Sequence, residues 1–150
     1  MGGLLSCNEL AHIEELINQI AANSGKPSYS FGRPSTVNDG TWLFAGNSVP
    51  SNKTGIPFGL NNGELTYGWI GNESLVAYDI EIYHHLGDEV SLTLLTTLSI
   101  GAGARTATFD VSDFGLVSVP KDVQIATKVV NVAAGNPRNV SVHLTIAGTT

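Results

Sequence analysis

One hundred and fifty residues allow one domain with a short appendage and exclude two ordinary domains. Charged residues make up only 13% of the chain while Gly, Ser, Thr and Asn are plentiful, a balance that suits folded β-structure rather than disorder. Seven Lys plus Arg, scattered singly in a chain of net charge −6, exclude direct nucleic-acid binding, which needs clustered cations.

The N-terminal six residues, Met1-Gly2-Gly3-Leu4-Leu5-Ser6, fit a myristoylation pattern, and Leu4-Leu5-Ser6-Cys7 resembles a lipoprotein cleavage site. Neither is followed by the expected context: no Lys or Arg precedes Lys26, and the apolar run is too short for a secretory signal. No stretch approaches the roughly 18 apolar residues that span hydrocarbon, so a soluble protein without membrane partners is expected. Cys7 is the single cysteine, which excludes a disulfide within the chain and leaves a reduced thiol or an intersubunit bond.

Ser6 and Glu9 have the spacing of a capping box and predict a helix beginning at Cys7. Asn23, Ser24, Gly25 and Pro27 predict its end, giving about 17 residues or roughly 25 Å. Leu10, Ile13, Ile17 and Ile20 recur at three, four and three, the a/d seam of a coiled coil, and isoleucine at d favours three or four strands over two. A homotrimer is expected. Leu16 widens the stripe, so the same residues would also suit docking on a partner or on the chain's own β-domain. Two heptads are marginal alone in water, so any assembly needs the β-domain as well.

Residues 26–64 read as a Gly/Pro/Asn-rich loop segment with one short strand at Thr41–Ala45, and Pro50 and Pro57 exclude the run 49–57 from a sheet centre. From 65 to 150 the period is close to two. Strands are predicted near 65–70, 75–84, 91–100, 104–111, 115–119, 122–131 and 138–147, with turns at Leu86-Gly87-Asp88 and Ala134-Gly135-Asn136-Pro137. Val140, Val142, Leu144 and Ile146 share one face of the last strand. Val123, Ile125, Thr127 and Val129 likewise oppose Gln124, Ala126, Lys128 and Val130. With no helical pattern between the strands, the expected fold is mainly β: an antiparallel β-sandwich, jelly-roll or Greek-key like, with an N-terminal α-helix.

Chemistry is sparse. His84 and His85, being adjacent in a strand, point to opposite faces and cannot hold one metal ion, while His12 and His143 lie on other elements. Asp79 and Glu81 share a face at about 7 Å, within reach of acid–base work, yet they alternate with Tyr78, Ile80 and Ile82 as an ordinary polar face does. Asp88 with Glu89 and Asp110 with Asp113 offer oxygen ligands without the repeat of a calcium loop. Gly101 and Gly103 suit a hairpin turn, no nucleophile elbow is present, and neither a metal nor any other cofactor is expected. Trp42, Trp69, Tyr67, Tyr78 and Tyr83 would serve as core, as subunit interface, or as stacking platforms for sugar rings. Asn52, Asn72 and Asn139 head glycosylation sequons that mean little without a secretory signal.

Gly40-Thr41-Trp42-Leu43, Val49-Pro50-Ser51-Asn52, Gly55-Ile56-Pro57, the run Tyr78 to His85, Leu92 to Thr97, and Asn139 to Ile146 followed by Gly148 together resemble small virion structural proteins of tailed bacteriophages. The resemblance covers about residues 31–148. It implies a non-enzymatic capsid-decoration, head- or neck-fibre, or tail-associated subunit, made in the host cytoplasm and assembled with capsid, neck or tail proteins. It supplies no catalytic residues. A carbohydrate-binding module for host attachment, stacking sugars on Trp42, Trp69 or Tyr83, is the alternative, and a glycan-degrading enzyme using Asp79 and Glu81 is a third.

Overall fold

The computed structural model describes residues 6–24, 28–45, 56–57, 62–87 and 91–148, with the side chains of 16–24 and 56–57 outside that description. Helix α1 spans Cys7–Ser24. Among the described residues eleven strands follow: β1 Ser28–Thr36, β2 Thr41–Trp42, β3 Phe44–Ala45, β4 Ile56–Pro57, β5 Gly63–Gly71, β6 Tyr78–His85, β7 Thr93–Ile100, β8 Thr106–Asp110, β9 Val117–Val119, β10 Gln124–Asn131 and β11 Arg138–Gly148. A four-residue helix α2, Val111–Phe114, lies between β8 and β9.

The strands form two sheets, and every pairing in them is antiparallel. The first runs β3-β1-β11-β5-β8, with β9 pairing the other half of the β5 edge. The second runs β2-β10-β6-β7, with β4 beside β2 on the edge of β10. Each sheet buries the face that its alternation marks. Val140, Val142, Leu144 and Ile146 from β11 and Ile80, Ile82, Ile125 and Val129 from β6 and β10 join one core cluster. Fully burying each such side chain contributes about 1.5–3 kcal/mol, which is what fixes the strand registers.

Three expectations change. The segment read as mostly loop contains the nine-residue β1, whose Tyr29 and Phe31 point into the core while Ser28 and Ser30 point out. Gly32 and Pro34 hide that strand in the sequence. Pro34 is tolerated because the β1–β11 register shifts between Arg33 and Thr36. The strand expected at Thr41–Ala45 is divided: β2 pairs with β10 in one sheet, Leu43 is buried, and β3 pairs with β1 in the other. The Gly101–Gly103 turn does not close a hairpin. It carries the chain from β7 in one sheet to β8 in the other, with Gly103 at φ +87° and its N–H donating to the Leu75 carbonyl at 2.9 Å.

Candidate functional site

Helix α1 begins as its sequence dictates. The Ser6 hydroxyl accepts from the Glu9 N–H at 3.2 Å, and the Ser6 carbonyl accepts the first helical bond from Leu10 at 3.0 Å. Residues 6–15 are all exposed. Leu10 is 47% and Ile13 40% accessible, and among the described residues α1 makes no extended contact with any strand. That removes Leu10 and Ile13 from the chain's own core, so the reading of α1 as a cover for its own β-domain does not hold for this turn. The side chains of Leu16, Ile17 and Ile20 lie outside the described residues. Cys7, the first helical residue, is exposed.

The outer face of the second sheet carries a closed aromatic cluster. Trp42 on β2, Lys128 on β10 and Glu81 on β6 sit side by side because Lys128 pairs with Trp42 on one flank and with Glu81 on the other. The Lys128 ammonium is 3.3 Å from Glu81 Oε1, 5.4 Å from the Trp42 ring centre and 5.3 Å from that of Tyr83. Tyr83 donates its hydroxyl to Glu81 at 2.8 Å, and the two rings meet tilted at 5.3 Å. Burial first, then the Glu81 carboxylate, raises the Tyr83 pKa. Burial works against the Lys128 charge, but the hydrogen bond and the charge of Glu81, with Tyr83, outweigh it and raise that pKa too. Trp42 and Tyr83, two of the three expected stacking aromatics, therefore have their shared space filled by a lysine. Glu81 is engaged with Lys128 and Tyr83 and does not stand as a carboxyl in an apolar pocket beside Asp79.

The outer face of the first sheet is open. Trp69 on β5 faces outward beside His143 of β11, with ring centres 5.1 Å apart, and the Ser30 hydroxyl of β1 lies 2.8 Å from His143 Nδ1. These three stand in one cross-strand row, since Ser30 pairs with His143 and His143 with Trp69. The indole lies along its own strand: a Cβ on Gly71 would fall 2.8 Å from Cζ2, 2.9 Å from Cζ3 and closer still to Cη2. Only glycine leaves the ring that space. Next to this row an open groove of about 440 Å³ is lined by Ser30, Gly32, Pro34, Phe44, Ser141 and His143. Arg33 stacks over Phe44 at 5.7 Å, at the edge of this groove, and donates to the Trp42 carbonyl at 3.3 Å.

The remaining candidates have structural roles. Tyr78 is fully buried and Tyr67 is exposed. His85 is buried, its Nδ1 accepting from the Gly87 N–H at 2.9 Å. Burial, then the neighbouring His85, lowers the His84 pKa. Asp110 and Asp113 build the N-terminal cap of α2: Asp110 accepts from the Ser112 N–H and Asp113 from the Asp110 N–H, both at 2.8 Å. Hydrogen bonds from Ser112 hold the Asp110 carboxyl below the usual range. Asp88 and Glu89 lie outside the described residues, and among the described residues no group of three His, Cys, Asp or Glu side chains is placed to hold a metal ion. His12 is on exposed α1. No described helix is long and apolar enough to cross a membrane.

Sequence reasoning missed Ser30 and Lys128 as site residues. The alternation Ser28-Tyr29-Ser30-Phe31 was the available signal for the first. For the second, nothing local tells that Lys128 pairs with Glu81, 47 positions earlier in the chain. No protein-family model matches the chain, and no curated protein matches it.

Proposed function

We propose that this chain is a non-enzymatic structural subunit of a bacteriophage particle, of the capsid-decoration or fibre kind: a jelly-roll-like β-sandwich body that assembles through, or docks by, α1. One observation carries the reading. Leu10 and Ile13 hold an apolar seam in solvent at the start of a helix whose heptad continues through Ile17 and Ile20. An apolar stripe left outside its own core is stabilised by covering it with another surface, and β-branched d positions favour a trimer.

Two further features support a structural role. Glu81, one of the two carboxyls offered for acid–base chemistry, is tied into an ion pair, and Asp110 and Asp113, offered as oxygen ligands, are tied into a helix cap. The body also holds itself together without a disulfide. Light scattering on the full chain and on a version lacking residues 1–25 tests the reading. A full-length trimer that becomes a folded monomer on truncation is expected. An assembly of unchanged size without the helix would overturn it.

A further inference from the structure

We propose that the outer face of the first sheet, from Phe44 across Ser30 and His143 to Trp69, is a binding site for a neutral hexose unit of a glycan. The strip crosses β3, β1, β11 and β5, three strand spacings or about 14 Å, and has an aromatic ring at each end. Between the rings stand the hydroxyls of Ser30 and Ser141 and the imidazole of His143, around a groove of about 440 Å³, inside the usual range for small-ligand clefts.

The chemistry of the lining selects the ligand. A pyranose has apolar C–H faces and a rim of hydroxyls. It needs aromatic surface together with neutral donors and acceptors, and the groove supplies both without a carboxylate or ammonium among its lining residues. The residues lining the groove offer a polyanionic glycan or a phosphate no cation; the nearest, Arg33, lies over Phe44 at its edge and donates to the Trp42 carbonyl, and a chain of net charge −6 repels polyanions.

Glycine sets the platform. Gly71 lets the indole lie along the strand, and Gly32 leaves the groove floor without a side chain. Trp69 contrasts with Trp42 and Tyr83, because a lysine already occupies the space between those two rings.

The site is independent of α1, so it stands or falls apart from the assembly reading. The test titrates the isotope-labelled full chain with maltotriose, cellotriose and chitotriose, following the indole N–H resonances of Trp69 and Trp42. At least one trisaccharide should shift the Trp69 indole, with a dissociation constant in the millimolar range or tighter, and leave that of Trp42 in place. Trp69→Ala should weaken binding at least tenfold, about 1.4 kcal/mol. Gly71→Ala should do the same by displacing the ring. It decides the matter if the first variant fails to fold, because Gly71 is not at positive φ and accepts alanine. An indole unmoved by all three sugars overturns the proposal. So does affinity that survives both variants, or a shift that follows protein concentration and marks the face as a contact between copies.

Discussion

Helix α1 and the β-body treat their apolar residues in opposite ways. In β11, Val140, Val142, Leu144 and Ile146 are buried in the core cluster, whereas in α1 the same class of side chain, Leu10 and Ile13, meets solvent. The body thus derives its stability from within, and the helix has something to gain only from a second surface. On the proposed assembly, stability and association are separated along the chain, so a substitution can be aimed at either.

The largest expected effect is on the body. Leu144→Ala should lower the unfolding free energy by about 2–5 kcal/mol, read by urea denaturation, because it opens a cavity where sheet and core meet. A loss below about 1 kcal/mol would mean that the core is looser than its burial implies.

Alkaline pH should act next. Burial raises the pKa of Tyr78, and of Tyr29 and Tyr83 as well, above the ordinary 10.0. Once pH passes that value the unfolded chain releases protons that the folded chain retains. Stability then falls as pH rises through the interval between the two. Lys128, also raised, adds to the fall. Tyr78→Phe should flatten the midpoint-versus-pH curve above pH 10, and a curve of unchanged slope would assign the loss elsewhere.

Breaking the closed cluster on the second sheet should cost less. Lys128→Met removes an ion pair and two cation–π contacts that are partly exposed, for a loss on the order of 1 kcal/mol that shrinks in high salt. The smallest effect on stability belongs to the helix. Leu10→Gln with Ile13→Gln should leave the thermal unfolding of the body within about 0.5 kcal/mol while reducing the solution mass. A large destabilisation of the body by this pair would erase the division between the two regions.

Strand faces were legible in the sequence wherever burial was one-sided. The alternation from Arg138 to Gly148 points to what the structure contains. β1 was not, because Gly32 and Pro34 weaken its local signal and only pairing with β11 compensates. The turn at Gly101–Gly103 looks like a hairpin in the sequence since the same glycine chemistry serves a reversal within one sheet and a passage between two. α2 was invisible for a related reason: four residues carry no periodicity, and its capping box is short enough to pass for a turn. At the candidate site, Trp69 and His143 could each be picked out as single residues. Their meeting, with Ser30 beyond them, depends on register between strands more than seventy positions apart, which no local pattern encodes.

The placement of β11 in the middle of the first sheet governs the order of events during synthesis. β1 and β5 both hydrogen-bond to it and not to each other. They leave the ribosome long before their common partner exists, and until residues 138–148 arrive β1 has only the two-residue β3 to pair with. The β6–β7 pair can form early from neighbouring sequence, but the first sheet closes only once β11 is present, through contacts that span up to 117 positions. Such long-range closure is slow. Until β11 has been made, the nascent chain therefore leaves the apolar faces of β1 and β5 without their common partner, and a chain that stalls before it keeps exposed the apolar edges that invite aggregation.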